Sequence, residues 1–325
     1  MRLLVTGATG KVGQNVLAAP PRDARFAEAQ VVALCHNRGL SLDGVEVVNG
    51  SIASREDVAR AMAGVTHVLH LAAVKESPDL AIDVAVKGMF LLLEAFRQSE
   101  TAERFVLLGG DCAVGHIFQP YDSPITEESP RRAYPGCYAL TKVIEEVMLE
   151  QYRIQYGIDT CCIRAPWIME KDDFRFAMVF GPDQFGGPAW ADLMPQADLE
   201  RAWQEGLVPL MIAANGEPLR RSFVHVDDVV SAALTALVHP AAAGETFNIT
   251  MNEPVDYGRL AALLKRRNGT EAIEIRTPFH GNWLDNSKAR QRLGWAPDVD
   301  LEEMIERAWT YQRAEKDVRR VWYPG

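Results

Sequence analysis

A chain of 325 residues that is 48% apolar and 24% charged has enough apolar material for one large globular domain or two unequal ones. Its formal net charge of −10 argues against nucleic-acid binding, because nucleic-acid-binding surfaces are basic. No apolar run approaches the length of a membrane span, and the N-terminus is predicted to begin a strand and not a signal peptide.

The cysteines give no sign of disulfides or of a metal site. They stand at positions 35, 112, 137, 161 and 162, an odd number without the spacing of metal ligands. Free thiols in a reducing cytoplasm are the simplest account, so we expect a cytoplasmic protein that binds no metal.

A glycine pattern follows the first predicted strand. The apolar run at 2–5 predicts a buried parallel strand, and Gly7, Gly10 and Gly13 come directly after it. Because glycine lacks a Cβ, a pyrophosphate can approach the backbone N–H groups at the start of the next helix. The spacing is related to the G-x-G-x-x-G dinucleotide fingerprint without matching it, and a glycine-rich turn with no ligand is the alternative.

The second predicted strand, at 30–34, bears on the choice of cofactor. In a dinucleotide-binding fold its end meets the adenosine ribose, where an acid accepts from a free 2′-OH and an arginine suits a 2′-phosphate. Here the strand is followed by Cys35-His36-Asn37-Arg38, which has a nearby arginine and no acid. This favours NADP over NAD, unless Arg38 is only a solvated loop charge.

Strands and helices continue to alternate through the first half of the chain. The next predicted elements are a strand at 45–48, a helix capped by Ser54, a strand at 66–71, a helix at 79–98 and a strand at 104–108. Small residues after 66–71 let a cofactor lie against the backbone, and Lys75 either pairs with a phosphate or is an exposed lysine. The apolar helix at 79–98 is expected to be buried in the core or against a second subunit.

Tyr138 and Lys142 stand at i and i+4 of a helix predicted to run to about Tyr156, so their side chains share one face. A tyrosine with a pKa of about 10 is a poor proton carrier at neutral pH, and lowering it by about three units requires roughly 4 kcal/mol. A lysine ammonium one turn away, together with an oxidised nicotinamide, supplies charge of the required sign. After a glycine turn and alternating strands and helices, the pair is predicted to be catalytic.

The second half of the chain interrupts this alternation between 167 and 220, where Gly186-Gly187-Pro188 and several tryptophans occur. Substrate-binding loops are expected there. The remaining predicted elements are strands at 161–164 and 247–249, a helix near 191–205, a strand and a helix within 224–238 capped by Asp227-Asp228, and helices at 256–268 and 301–316. Residues suited to stack on a sugar or base, or to bind phosphate or carboxylate, are Trp167, Arg175, Trp190, Arg220 and Arg221.

In their order and spacing, these motifs resemble those of the extended short-chain dehydrogenase/reductase superfamily. The chain is similar to its NAD(P)-dependent epimerase/dehydratase family, which includes UDP-glucose 4-epimerase, over nearly its whole length. The matching segments are 6–13 (TGATGKVG), 70–73 (HLAA), 138–142 (YALTK), 164–166 (RAP), 221–228 (RSFVHVDD), 285–288 (DNSK) and 293–297 (LGWAP).

The resemblance implies an α/β fold, with a Rossmann-like doubly wound parallel sheet and a smaller α/β C-terminal substrate domain. The dinucleotide-binding domain would comprise 1–166 plus 222–250, and the substrate-binding domain 167–221 plus 251–325. The chemistry would lie in the cleft between them. The resemblance also implies a homodimer formed through the helices at 79–98 and 138–156.

The resemblance further implies that Tyr138 exchanges a proton with a substrate hydroxyl or carbonyl while hydride passes between the substrate carbon and nicotinamide C4. Lys142 would hold the nicotinamide ribose, and Ser51 and Ile52 would contact the adenine. Together with the positions named above, the expected cofactor contacts are Gly7, Thr9, Gly10, Lys11, Val12, Gly13, Arg38, Ser51, Ile52, Leu71, Ala72, Ala73, Lys75, Tyr138, Lys142 and Pro166. The expected substrate contacts are Asp111, Cys112, Trp167 and Arg221.

Asp111 departs from the family pattern. The family has Ser or Thr at the end of the strand before the YxxxK helix, where its hydroxyl binds the reacting oxygen, and Asp111 stands at or next to this position. An ionised carboxylate would repel a developing alkoxide. Asp111 could instead donate when protonated, bind a substrate hydroxyl, act as a second base in epimerisation, or be only a turn residue. Ala85 is a second departure, because the family often carries there an Asn that supports a water relay to the lysine.

The sequence therefore predicts an NAD(P)-dependent oxidoreductase or epimerase that acts on a sugar or sugar acid by Tyr/Lys-assisted hydride transfer. The missing hydroxyl residue, and the lack of an obvious Lys/Arg cluster for a diphosphate, favour a substrate without a nucleotide. An NAD-dependent nucleotide-sugar 4-epimerase is the first alternative. The second is an NAD(P)-binding sensor that has lost its chemistry, against which the retention of Tyr138 and Lys142 argues.

Overall fold

A computed structural model of the chain describes residues 1–19, 23–181, 189–315 and 317. Its strands, in chain order, are β1 (Arg2–Thr6), β2 (Gln30–Cys35), β3 (Val45–Asn49), β4 (His67–His70), β5 (Arg104–Gly110), β6 (Thr160–Ala165), β7 (Trp167–Met169), β8 (Val208–Ile212), β9 (Arg220–Arg221), β10 (Phe223–His225), β11 (Glu245–Asn248), β12 (Val255–Asp256) and β13 (Ala272–Arg276).

The α-helices are α1 (Lys11–Ala18), α2 (Arg55–Ala61), α3 (Pro78–Leu80), α4 (Met89–Gln98), α5 (Cys137–Tyr156), α6 (Asp173–Ala177), α7 (Gln196–Gln204), α8 (Val226–Val238), α9 (Tyr257–Asn268), α10 (Ser287–Leu293) and α11 (Leu301–Thr310). A π-helical stretch, Ala81–Gly88, joins α3 to α4. Two 3-10 turns, Asp111–Val114 and His116–Phe118, follow β5. Within the described ranges, no helix combines the length and the apolar content needed to cross a membrane.

Seven parallel strands form the central sheet, in the spatial order β3-β2-β1-β4-β5-β6-β11. The chain moves outward from β1 through β2 and β3, then returns to the other side of β1 to continue with β4. The switch point between β1 and β4 leaves a crevice at the carboxyl ends of these strands, where open α/β sheets bind ligands. The predicted Rossmann-like, doubly wound fold is confirmed.

Both faces of the sheet are covered, as a buried parallel sheet requires. Along β1, Leu3 and Val5 face a core shared with α1 and α8, and Leu4 faces the opposite core shared with α2, α4 and α5. These side chains are fully buried, and each contributes about 1.5–3 kcal/mol through the hydrophobic effect. The strand positions near the crevice are therefore held by a rigid support.

A third hydrophobic cluster forms apart from the sheet, with residues such as Phe174, Met211, Leu260 and Met304. It packs around two-stranded pairs that the sequence did not predict, namely β7 with β10, β8 with β13 and β9 with β12. The segment after residue 250 also reaches back to the sheet, because α10 packs in the core of α1 and α8.

Most predicted elements are present, with local differences. The helix predicted at 191–205 begins at Gln196, the one predicted at 301–316 ends at Thr310, and 79–98 winds partly as a π-helix. The cap of α8 is the His225 ring, which accepts from the backbone N–H of Asp227, instead of the predicted acids. The Gly186-Gly187-Pro188 segment lies outside the described residues.

Candidate active site

The glycine turn after β1 packs too closely for any larger residue. Gly7 has a φ of +67°, and a Cβ on it would lie 2.7 Å from the backbone nitrogen of Ala72 at the end of β4. A Cβ on Gly13 would lie 2.4 Å from the carbonyl oxygen of Gly7. The Gly10 N–H closes the turn on that carbonyl at 3.0 Å. Gly7 and Gly13 are therefore required for β1 to turn directly into α1, whereas a Cβ on Gly10 would only make a tight contact of 3.2 Å with the Gly7 carbonyl oxygen.

The start of α1 faces the crevice without a side-chain cap among the described residues, since Gly10 stands at the N-cap position. The first amides of a helix have no acceptor within the helix and attract anions. Thr6, at the end of β1, accepts from the backbone N–H groups of Leu71 and Ala72 at 3.2 and 3.3 Å. The glycine turn and the loop after β4 are thus fixed against each other, and together they fit a dinucleotide.

The side chain of Lys11 extends from the first turn of α1 to β7 and the start of α6. Its Nζ donates to the carbonyl of Ile168 and pairs with Asp173. The predicted contact of Lys11 with a pyrophosphate stays a prediction. The backbone around Lys11 and Val12 still forms the first turn of α1.

The predicted adenine and ribose contacts lie at the same edge of the sheet, after β2 and β3. Arg38 is exposed. Ile52 is buried against Gly88, and the Ser51 N–H is taken by the Asp57 carboxylate at 2.9 Å. The Ser51 carbonyl accepts from the Ser54 N–H and the Ser51 hydroxyl accepts from the Ala53 N–H, so the hydroxyl hydrogen is the group that Ser51 can still donate to a ligand.

The helix that carries Tyr138 begins at an acidic cap supplied from another loop. The Glu76 carboxylate, in the loop after β4, accepts from the backbone N–H groups of Cys137 and Tyr138 at 2.9 and 3.3 Å. Gly136, with a φ of +144°, makes room for this carboxylate, because a Cβ there would lie 2.6 Å from a Glu76 oxygen. A carboxylate at a helix N-terminus is favourable, so this cap fixes the first turn of α5 at the crevice.

Tyr138 lies half-buried at the crevice, and the pKa of its phenol is raised above the ordinary value in this structure, whereas the predicted lowering depends on an oxidised nicotinamide as well as on Lys142. The first cause is burial, and nearby acidic groups, Glu145 and Asp111 among them, act in the same direction. Lys75 places its Nζ 3.6 Å from the centroid of the Tyr138 ring. Although much of the Lys75 side chain is exposed, loss of hydration at its ammonium lowers the pKa of Lys75 to about 8.

The charge of Lys142 is neutralised by a residue that the sequence analysis missed. Lys142 Nζ donates to the carbonyl of Leu108 at 3.0 Å and to Glu145 Oε2 at 2.8 Å. The two side chains are 4% and 0% exposed, so water does not weaken the pair. Burial acts to lower the pKa of Lys142, but the Glu145 carboxylate outweighs it and the pKa is raised. Lys142 is therefore a paired, buried cation in this structure.

The helical periodicity of α5 indicates that Glu145 is buried. It falls on the buried face of α5, along with Ala139, Leu149 and Tyr152. A carboxylate on such a face is rare unless it is paired, and Lys142 stands one turn earlier. Glu146, its neighbour, is buried as well and forms an ion pair with Arg164 of β6.

Asp111 belongs to a buried chain of three side chains. Its carboxylate is hydrogen-bonded to Nδ1 of His116, and Nε2 of the same ring is hydrogen-bonded to the guanidinium of Arg221. Because arginine can only donate, Nε2 is the acceptor and Nδ1 carries the proton. Asp111 therefore accepts from His116, which holds it as an oriented acceptor. No pattern in the sequence indicated His116, which reaches this position with a φ of +46° after Gly115.

Two aromatic residues and a cysteine complete the walls of the pocket. The guanidinium of Arg221 is 2% exposed and stacks on Trp167 at 3.9 Å from its ring centroid. Cys112 packs with Tyr134 next to Tyr138, and burial raises the pKa of its thiol to about 12. Cys112 is therefore a neutral wall residue. Pro166 is buried directly after β6.

The described residues contain no group of three or more His, Cys, Asp or Glu side chains that could hold a metal ion. All five cysteines are free. The polar groups at the crevice are instead the amides of α1, the Tyr138 phenol, the Lys75 ammonium and the Asp111 carboxylate, a set that suits an organic cofactor and a hydroxylated substrate.

The chain is similar along most of its length to proteins of known activity. The UDP-glucose 4-epimerase of Mycolicibacterium smegmatis is 30% identical over 96% of this chain and 99% of that protein. UDP-glucuronate 4-epimerase 4 of Arabidopsis thaliana is 25% identical over 94% of this chain and 74% of that protein.

Among solved structures, a short-chain dehydrogenase/reductase superfamily protein from Agrobacterium tumefaciens with bound NAD has a TM-score of 0.78 at 26% identity, covering 95% of this chain and 96% of that chain. The model of the NAD dependent epimerase/dehydratase family matches residues 3–250, from β1 through β11. This span includes the glycine turn, the Tyr138–Lys142 pair and Asp111. The chain is therefore an enzyme that belongs to the NAD dependent epimerase/dehydratase family.

Proposed function

We propose that this enzyme carries out NAD(P)-dependent hydride transfer on a sugar or sugar acid, with Tyr138 as the proton-transfer residue. The observation that carries the proposal is the meeting of three features at one edge of the sheet. These are the glycine turn after β1, the acceptor Asp111 after β5, and the first turn of α5 with Tyr138. A bound dinucleotide supplies the hydride acceptor and donor there.

Each side chain then has one task. Tyr138 takes a proton from a substrate hydroxyl when the substrate is oxidised and returns it when a carbonyl is reduced. Lys142, fixed between Leu108 and Glu145, offers its remaining N–H to the nicotinamide ribose. Asp111, oriented by His116, works as a carboxylate that accepts from a substrate hydroxyl or takes its proton. The protonated-donor alternative is less favoured, because the His116 N–H is directed at Asp111.

For the cofactor, we propose NADP in preference to NAD, because Arg38 follows β2 where an acid would select the free ribose. NAD is bound in the structure of the Agrobacterium tumefaciens protein, so NAD is the competing choice. Titration with both dinucleotides tests the proposal. A clear preference for NAD would remove any role of Arg38 in selection.

We also propose a homodimer. Apolar side chains are exposed along two adjacent helical segments, 78–98 and α5. They are Leu80, Ile82, Phe90, Leu140, Val147 and Ile154. A contiguous apolar face of this kind favours burial against a second copy. Light scattering tests this, since a monomeric mass at micromolar concentration would contradict it.

The division into a dinucleotide domain and a substrate domain, with bounds at 166, 222 and 250, is likewise part of the proposal. The separate hydrophobic cluster around Phe174 and Met211 supports it. So does the position of Arg221 and Trp167 opposite Asp111. The free thiols are in keeping with a reducing cytoplasm as the location.

The experiment that tests the function is a substrate panel assayed with the wild type and Tyr138→Phe. Free sugars, uronates and aldonates are scored for reduced nicotinamide, and UDP-sugars for epimer formation. On the substrate that reacts, Tyr138→Phe is expected to lower kcat by about 10²–10⁴-fold, the contribution of a general acid–base. Wild-type turnover in the variant, with dinucleotide bound equally well, would refute the role of Tyr138.

A second candidate, a UDP-sugar 4-epimerase, is favoured by the activities of the Mycolicibacterium smegmatis and Arabidopsis thaliana relatives. The two candidates differ in their use of the cofactor. A dehydrogenase consumes external dinucleotide, whereas an epimerase returns the hydride to the same substrate and shows no net reduction.

A further inference from the structure

The ion pair of Lys11 joins the first turn of α1 to the opposite wall of the crevice. Lys11 Nζ lies 2.9 Å from the carbonyl oxygen of Ile168 and 2.5 Å from Asp173 Oδ2. Both partners belong to the stretch from β7 to α6, which follows the end of β6. The side chains of Lys11 and Asp173 are 15% and 6% exposed, so the pair is largely withdrawn from water.

A second contact lies one turn further along α1. Asn15 Nδ2 donates to Glu170 Oε2 at 2.9 Å. Glu170 and Asp173 are joined to each other, because the Asp173 N–H donates to the Glu170 carbonyl at 2.9 Å and the Glu170 N–H donates to Asp173 Oδ2 at 3.2 Å. The two contacts therefore hold one turn, residues 170–173, against α1.

The same turn is held from its other side by Arg313 and Asp317. Buried Asp172 forms an ion pair with Arg313, and Lys171 Nζ lies 2.9 Å from Asp317 Oδ1. The turn is thus fastened at both ends and cannot shift without breaking ion pairs.

The position of Lys11 in the first turn of α1 makes a nearby anion favourable. A cation at the first turn of a helix lies beside the positive end of the helix dipole, which is unfavourable unless an anion is close. Asp173 supplies this anion from across the crevice. The amides that would receive a pyrophosphate belong to the same turn of α1, so the turn at 170–173 is tied directly to the helix end that would bind the dinucleotide.

We propose that Lys11 and Asn15, with Asp173 and Glu170, form a clasp that retains the dinucleotide. The inference rests on the proposed function and deepens it, because a retained cofactor suits a reaction in which it is not exchanged at every turnover. In an epimerisation, the hydride and the proton that leave one substrate molecule both return to it, so no external oxidant or reductant is consumed. The clasp therefore favours the epimerase candidate over the dehydrogenase.

The test measures the release of NADH, or NADPH if the titration prefers it. The full-length protein is loaded with the reduced dinucleotide and chased with excess unlabelled oxidised form, and the decay of bound nicotinamide fluorescence gives the off-rate. Lys11→Gln and Asp173→Asn are each expected to raise the off-rate at least about tenfold, because the clasp could then open without breaking its buried ion pair. The double variant should be no faster than the faster single variant, since both changes remove the same pair.

Lys265→Gln is the matched control. Lys265 pairs with Glu271 on the exposed face of α9, so its loss should leave the off-rate unchanged. Thermal unfolding of each variant shows whether it is folded, and Asn15→Ala offers a milder route to the same readout if Asp173→Asn unfolds. Off-rates equal to the wild type in folded variants, or effects that multiply in the double variant, would overturn the clasp and leave the proposed function intact. A wild type that binds neither dinucleotide would overturn the proposed function itself.

Discussion

The glycine turn and the pocket around Tyr138 lie at the same edge of the sheet, but they depend on different groups. The turn depends on backbone packing, because there is no space for a Cβ on Gly7 or Gly13. The pocket is made of buried charges, in which Lys142 is paired with Glu145 and Asp111 is linked through His116 to Arg221. The difference teaches that a cofactor motif can be recognised from residue types alone, whereas the protonation states of the pocket depend on partners distant in sequence.

After Tyr138→Phe, the largest effect in the pocket is expected from Asp111→Asn. The amide has nearly the same shape, but it cannot take a proton, so kcat should fall by about 10²-fold with the KM for the dinucleotide unchanged. Steady-state kinetics on the substrate identified by the panel measure this. Asp122→Asn, on the loop beyond β5, serves as the control. If Asp111→Asn kept full kcat, Asp111 would be a turn residue and the pocket would work with Tyr138 alone.

A substitution in the glycine turn is expected to weaken folding and cofactor binding for steric reasons. Gly13→Ala would place a Cβ against the Gly7 carbonyl and the Ala8 backbone, neither of which can move without opening the turn. Overpacking of this kind costs about 1–3 kcal/mol, and cofactor affinity should weaken because the amides of α1 shift. Gly39→Ala is the matched control, since a Cβ there meets nothing within 4 Å. Calorimetric titration and thermal unfolding measure both quantities, and equal values for the two variants would contradict the packing argument.

Glu145→Gln tests how the pocket sets its pH dependence. The Glu145 carboxylate is one of the groups that, after burial, raise the pKa of Tyr138. Removing its charge should lower the pKa of Tyr138, and the oxidation of a substrate hydroxyl requires the ionised phenol. The rise of kcat/KM with pH should therefore move by about one unit toward lower pH.

The other charged or titratable groups near Tyr138 and Lys142 are Lys75, Asp111, Cys112, Tyr134, His70 and Cys162. Glu150→Gln, on an outer turn of α5 where it pairs with Arg131, is the matched control and should leave the profile in place. A shift of equal size in the control, or none in Glu145→Gln, would show that the charge of Glu145 does not set the pKa of Tyr138.

The smallest effect concerns cofactor choice. Arg38→Ala should weaken NADP binding a few-fold and leave NAD binding unchanged, because exposed ion pairs contribute about 0–1 kcal/mol. Fluorescence titration of both dinucleotides measures the ratio of the two affinities. An unchanged ratio would mean that Arg38 is a solvated charge.

The glycine turn could be predicted from the sequence more fully than the charges of the pocket. Periodic apolar runs and glycine spacing predicted the parallel sheet and the turn into α1, because both depend on local pattern. The raised pKa of Tyr138 could not be predicted, because it depends on burial and on Glu145, and Lys142 was expected to act without a counter-ion. The ion pair of Lys11 with Asp173 could not be predicted either, because it joins residues that are 162 positions apart in the sequence.

A crystal structure of the protein grown with saturating NAD or NADP tests the central claim most directly. The account predicts the pyrophosphate on the first-turn amides of α1 and the nicotinamide within reach of the Tyr138 hydroxyl and Lys142. A dinucleotide bound away from the glycine turn, or a Tyr138 hydroxyl directed away from the nicotinamide, would contradict it.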